Sequence, residues 1–272
     1  MSGSVFTFPV KKFEGASSSA LHDLLAVEEP LEIRIGDRPI SITMRTPGHD
    51  FELAAGFLFS EGIVTDVAQI QTIRYTHTQG NPRRAGNSIT LDLKPGVEID
   101  LDRLERHFYT TSSCGVCGKA SIEAVESTGC RLLPHNGPMI AAQLVHGLPN
   151  TLRLSQAVFD RTGGLHASAL FRPDGTLLAI REDVGRHNAL DKIIGAEFLA
   201  GRTPLADRIL LVSGRTSFEL VQKTVMAGIP VLAAVGAPST LAVELAQRFQ
   251  LTLLGFVRGE RFNIYSGSWR IH

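Results

Sequence analysis

The chain has 272 residues, 43% of them hydrophobic, and 27 basic side chains set against 27 acidic ones. That length buries a sizeable core without disulfide staples. The zero net charge excludes a bulk field drawing in nucleic acid or an anionic membrane, so any anion site must be a local cluster. The longest late apolar run, Ile229 to Val235, is far too short to span a bilayer, and no long apolar stretch follows Lys11 and Lys12. A cytoplasmic protein is expected, with neither membrane nor nucleic acid as a partner. Three cysteines in such a reducing compartment suggest catalysis, metal binding or redox sensing rather than structural bridges.

Residues 1–29 read as a loose N-terminal arm, small and polar toward Ser17-Ser18-Ser19. Order is expected from Pro30. Leu31 to Gly36 and Pro39 to Met44 alternate apolar and polar residues around Gly36-Asp37, a hairpin signal, and Asp50 to Gly62 has helical character. Gln71 to Thr76 and Asn87 to Leu93 are strand-like, which makes 30–108 a β-rich part closed by a short helix, Leu101 to Phe108. Residues 109–272 read as an α/β domain that opens with a cysteine loop at 113–118.

Within that domain, Leu165 to Phe171 and Leu177 to Arg181 flank Pro173-Asp174-Gly175, a second hairpin signal. Strands and helices then alternate: helix 185–200, strand 208–213, helix 216–228, strand 230–235, helix 239–249, strand 251–257. The alternation predicts a largely parallel sheet with helices laid against it. Three strand-to-helix turns carry glycine and polar residues: Glu182 to His187, Ser213 to Ser217, and Gly236 to Thr240. All three should lie at the carboxyl edge of the sheet, where helix N-termini offer free N–H groups to a phosphorylated ligand. Leu190, Ile193, Ile194 and Phe198 form a buried stripe whose spacing carries back to Arg186 and His187. The plainer alternative is that Asp183 caps this helix and Arg186 and His187 are satisfied structural groups. His166, opening a strand after Thr162-Gly163-Gly164-Leu165, is either a hydrogen-bonded structural residue or a neighbour of the thiol. Ser213-Gly214-Arg215 matches neither the lysine-bearing phosphate loop nor the dinucleotide glycine pattern, so no nucleotide hydrolysis is expected.

Cys114-Gly115-Val116-Cys117-Gly118 lies just ahead of helical character, where a helix N-terminus and Lys119 would favour a thiolate. The two thiols have zinc-ligand spacing, yet a four-cysteine site is impossible with three cysteines, and no resident metal is expected. A redox pair is a further alternative, without a thioredoxin-like strand ahead of it. Cys130 reads as a packed small residue.

These segments together resemble the formate dehydrogenase accessory sulfurtransferase family (FdhD). The resemblance is carried by Glu52 to Gly62, Ser113 to Gly118, Thr162 to Ala167, Glu182 to Lys192, Ser213 to Arg215, Phe218 to Lys223 and Leu251 to Tyr265. It implies a cytidine-deaminase-like three-layer α/β fold with a smaller N-terminal β-rich part, and a homodimer. It also implies a sulfur carrier that takes persulfide sulfur from a cysteine desulfurase. Delivery is to the molybdenum bis(molybdopterin guanine dinucleotide) cofactor, as bound cargo, before its insertion into formate dehydrogenase. By the family pattern Cys114 is the persulfide cysteine and Cys117 the second cysteine, which either assists release by forming a disulfide or shares the load, while Phe256, Val257, Arg258, Gly259, Glu260 and Arg261 contact the cofactor. His166, Arg186, His187, Ser213, Gly214 and Arg215 are read as further walls of that pocket. Two rivals remain. A zinc deaminase would need a His-x-Glu and a Pro-Cys-x-x-Cys, but His166 precedes Ala167 and Ser168, and Cys114 follows Ser113. A cofactor chaperone would bind the dinucleotide without moving sulfur.

Overall fold

The computed structural model describes residues 3–76, 86–99, 125 and 130–272. The Leu101 to Phe108 helix and the cysteine loop with Cys114 and Cys117 lie outside the described residues. Three sheets organise the rest.

The expected loose arm is instead a hairpin. β1 (Val5–Glu14) pairs antiparallel with β2 (Ser17–Ala26) through a two-residue turn, with Gly15 at φ +60°. A glycine with positive φ at the first turn position is what a tight hairpin of this kind requires. The serines suggest disorder, but the Val-Phe-Thr-Phe run on the facing strand supplies the β-forming residues.

β3 (Glu29–Ile35) and β4 (Arg38–Arg45) form the hairpin read at Gly36-Asp37, and β5 (Ile70–Tyr75) and β6 (Ser88–Leu93) complete a four-stranded sheet of order β4-β3-β6-β5. α1 (Asp50–Ser60) packs beside it. The fully buried Arg45 joins the sheet to this helix, its guanidinium donating to both carboxylate oxygens of Asp50 at 3.1 Å.

The second half builds a six-stranded sheet of order β12-β11-β10-β9-β7-β8. Its strands are β7 (His166–Phe171), β8 (Leu177–Asp183), β9 (Ile209–Val212), β10 (Val231–Ala234), β11 (Thr252–Arg258) and β12 (Arg261–Ser266). β12 continues the chain past the last strand read from sequence. α2 (Ala142–Ser155) and the short α3 (Ala157–Thr162) precede β7; α4 (Arg186–Leu199), α5 (Phe218–Met226) and α6 (Thr240–Arg248) follow the sequence reading.

The two sheet faces bury different clusters. Leu170, Leu210, Leu232 and Leu253 meet α4, α5 and α6, while Ala169, Ile209, Leu211 and Leu254 meet Val145, Leu148 and Leu152 of α2. This is the expected three-layer α/β arrangement. No turn signal announces α2, because Gly147 and Pro149 sit inside it; its apolar spacing and the C-terminal tail, whose His272 carbonyl accepts from the Ala142 amide at 2.8 Å, hold it helical.

α1 crosses α4 at closest backbone approach: a Cβ on Gly56 would lie 1.9 Å from the Asp191 carbonyl oxygen, and one on Gly195 would lie 1.8 Å from that of Glu52. No side chain larger than hydrogen fits either position. Among the described residues no helix is long and apolar enough to cross a membrane.

Candidate functional site

β9, β10 and β11 are mutually parallel, and β7 is antiparallel to both β8 and β9. The carboxyl ends of β8, β9, β10 and β11 therefore share one edge with the start of β7. That edge carries Asp183 to His187, His166, Ser213 to Ser217, Gly236 to Pro238, and Phe256 to Arg261 in a row. With strands about 4.8 Å apart, β8 to β11 spans roughly 20 Å. The successive crossovers advance in one direction with α4, α5 and α6 on one face, so no strand-order reversal opens a crevice here, and the site is built from the turns themselves.

Backbone hydrogen bonds lock those turns together. The Gly236 amide donates to the Gly214 carbonyl at 3.1 Å, Thr216 to Ala237 at 3.1 Å, and Phe256 to Gly236 at 3.1 Å. A Cβ on Gly236 would stand 2.9 Å from the Gly214 oxygen, so this glycine is required for the close approach. Ser213 Oγ accepts from the Ala167 amide at 2.9 Å. It is thereby engaged in holding β9 to β7.

Much of the Glu182 to Lys192 segment is scaffold. Glu182 accepts from the Val158 and Phe159 amides at 3.0 and 2.8 Å, capping α3 from a distance. Asp183 is fully buried, accepts from the amides of Thr46 and Gly185, and pairs with the buried Lys192 at 2.7 Å. It braces the turn rather than capping α4, whose N-cap is Gly185 without a side-chain cap.

His166, Arg186 and His187 form the polar end of the row. Burial, followed by the nearby Arg186 charge, pushes His166 below its ordinary pKa against the opposing pull of Asp183. Its ring contacts the Gly214 position, where an added Cβ would meet Nδ1 at 3.4 Å. His187 Nε2 lies 3.2 Å from Ser217 Oγ and 3.9 Å from Glu219 Oε2. Its side chain stays 37% exposed. Even so, desolvation and then the Lys223 and Arg186 cations push its pKa down to about 4. Both imidazoles are therefore neutral near neutral pH, each with one ring nitrogen free to donate and one to accept. Arg186 Nε and Thr216 Oγ1 are buried with no hydrogen-bond partner among the described residues. Ser217 and Glu219 were not singled out from sequence as site residues; the signal was their place at the N-cap and second position of α5.

Below this row, Lys223 donates to both Asp191 carboxylate oxygens at 3.0 Å, to Ser60 Oγ at 2.8 Å and to Glu61 at 3.2 Å. Burial alone would favour the neutral forms and does push Asp191 up, yet Asp191 and Glu61 outweigh it at Lys223, whose pKa is raised. Ammonium contacts to three residues decide for the charged pair.

At the other end of the row, Arg258 and Arg261 face each other across the β11–β12 turn, with Gly259 at φ +54°. Arg258, Gly259, Glu260 and Arg261 line an open concavity of about 450 Å³. Phe256 sits in a bulge of β11 at φ +55°, with the Arg258 guanidinium carbon 6.0 Å from its ring centroid. A left-handed backbone at an aromatic residue costs roughly 1–2 kcal/mol, and such strain is characteristic of ligand-contacting segments. Val257 is buried against the α2 face, which leaves only its backbone for a ligand. The two arginines could clamp phosphate oxygens. The turn after β9, whose Ser217 meets His187, stands two strand positions from β11, so the sequence-derived residues string along one edge rather than gathering in one compact pocket.

Comparison with known proteins places this architecture. Residues 26–272 match the model of the FdhD/NarQ family. The chain is 52% identical over 264 residues to the sulfur carrier protein FdhD of Streptomyces avermitilis, covering 96% of this chain and 94% of that one. It is 53% identical over 254 residues to the sulfur carrier protein FdhD of Mycobacterium tuberculosis, covering 92% of each. A crystal structure from Desulfotalea psychrophila, assigned as a formate dehydrogenase accessory protein, superposes with a TM-score of 0.76 at 23% identity, over 98% of this chain and 99% of that one. With a family match that runs from the end of the first hairpin to the last residue, the chain belongs to the FdhD/NarQ family.

Proposed function

We propose that this protein is a cytoplasmic sulfur carrier serving formate dehydrogenase, with Cys114 as the carrying thiol. The observation that supports this reading most is the near-full-length identity of about half to proteins named as sulfur carriers. In the proposed step the Cys114 thiolate attacks the outer sulfur of a cysteine desulfurase persulfide. A new S–S bond forms on Cys114, the donor's S–S bond breaks, and the donor leaves as its thiolate. Cys117 assists release. The acceptor is the molybdenum bis(molybdopterin guanine dinucleotide) cofactor, held along the carboxyl edge of the six-stranded sheet as a homodimer's cargo. Arg258 and Arg261 would engage its phosphates, the Phe256 ring its guanine, and the station at His166, Arg186 and His187 the far part of so long a ligand. An edge of roughly 20 Å suits an extended dinucleotide better than a compact substrate.

Incubating the protein with a cysteine desulfurase and L-cysteine, followed by non-reducing digestion and mass spectrometry, tests the carrier step. A reductant-labile added sulfur is expected on the Cys114 peptide and absent after Cys114→Ala. An unmodified peptide beside an active desulfurase would sink the carrier reading and favour a cofactor chaperone.

A further inference from the structure

The β1–β2 ribbon stands outside the rest of the fold's logic. Two strands alone are marginal in water unless a further layer covers their apolar face, yet Phe6, Phe8 and Leu25 remain 58%, 48% and 42% exposed. In the register of the ribbon Phe6 faces Leu25, and Phe8 lies two residues along, so the three share one face with the half-buried Val10 and Leu21. Only Val27 and Glu28 separate the ribbon from β3. On the neighbouring edge strand β4, Ile42 and Met44 are 70% and 47% exposed on the face turned away from α4, since Thr43 between them bonds Asn188. One chain thus displays two apolar surfaces, each left about half open to solvent although α3 packs against β2.

We propose that these surfaces cover each other between two copies of the chain, the ribbon of each protomer lying on Ile42 and Met44 of the other. This specifies the interface of the homodimer in the functional reading and rests on it for the oligomeric state alone. A reciprocal arrangement satisfies two-fold symmetry with a single kind of contact. Zero net charge leaves no long-range repulsion between copies. Taking roughly 200 Å² for each large side chain, the five residues offer about 500 Å² per copy. The symmetric pair then reaches the ~1,000 Å² that a stable interface clears. The family match begins at residue 26, where the ribbon ends, and Ala26 there stands against Gly164, two residues ahead of His166.

Sedimentation velocity over a concentration series tests it on the full-length protein. Wild type should sediment as a dimer of the 29.4 kDa chain. F6S/F8S and, separately, I42S/M44S should each raise the dimer dissociation constant by at least about thirty-fold, the loss of one hot-spot contact, with unchanged circular dichroism. A monomeric wild type would overturn the proposal. So would a dimer indifferent to both double substitutions, including one held by a different surface. Sulfur loading of Cys114 is read in parallel: loaded protein with an indifferent dimer sinks the clasp alone, whereas unloaded protein with a responsive dimer sinks the carrier reading alone.

Discussion

His187 is a neutral imidazole set between cations, and its titration reports on the carboxyl edge directly. Desolvation, Lys223 and Arg186 depress its pKa to about 4 from an ordinary 6.5. The folded protein therefore resists a proton that the unfolded chain accepts, and the stability this group contributes is complete above pH 6.5 and lost as pH falls toward 4. The His187 ring resonances should show no protonation between pH 7 and about pH 5 in an NMR titration, and His187→Gln should flatten the fall of urea midpoints across that window. A His187 titrating near 6.5 would mean that the ring is open to water and the station near it is not enclosed. Sequence spacing located this residue beside Arg186 at the edge, but its protonation was not legible there. The cation responsible, Lys223, sits on a different helix and turns toward His187 only after α4 and α5 pack. Glu52 shows the same limit. Burial raises its carboxyl, but the Arg181 guanidinium, bonded at 2.5 and 2.8 Å, and His49 hold it down at about 2.

The crossing of α1 and α4 decides how the elements assemble. Gly56 and Gly195 let the two backbones touch, and around that contact the Lys223–Asp191 pair and Ser60 fix the angle. Gly56→Ala would drive a Cβ into the Asp191 carbonyl oxygen, at 1.9 Å, and the neighbours are backbone that cannot swing aside. A loss of about 3 kcal/mol or more is expected, read as a lower urea midpoint. Gly147→Ala, in a helix where an added Cβ meets nothing within 4 Å, serves as the tolerated control. The alternating strands and helices from β7 to β11 were legible because each has a strong local period. The ribbon, α2 and the glycine crossing were not. The ribbon's β-forming strand is offset by a serine-rich partner, α2 contains a glycine and a proline, and a helix-to-helix contact has no sequence period of its own. At the candidate site, sequence placed the turns on one edge. Their sequence along that edge emerged only from strand order, and the cysteine loop lies outside the described residues.

At the scale of the molecule, the β-rich part and the α/β domain share one core. Leu31, Ile33, Ile89 and Leu91 of the four-stranded sheet belong to the same buried cluster as Leu190, Ile193, Leu210 and Leu232. Two buried ion pairs stitch the same junction. Lys192, paired with Asp183, also donates to the Thr46 carbonyl at 2.9 Å ahead of α1, and Lys223 reaches Ser60 and Glu61 at its end. The β-rich part and the α/β domain, divided at residue 108 by their order of strands and helices, thus pack on a common core. Urea unfolding followed by the fluorescence of Trp269, the single tryptophan, should coincide with the loss of slow amide exchange in β3 and β6, one transition for both probes. Lys223→Met leaves Asp191 buried without its partner and should cost about 3–5 kcal/mol. Because the pair lies at the shared junction, both probes should shift together. Faster exchange confined to β3 and β6, with an unchanged Trp269 midpoint, would show instead that the four-stranded sheet opens as a unit of its own. The carboxyl edge would then be braced by the α/β domain alone.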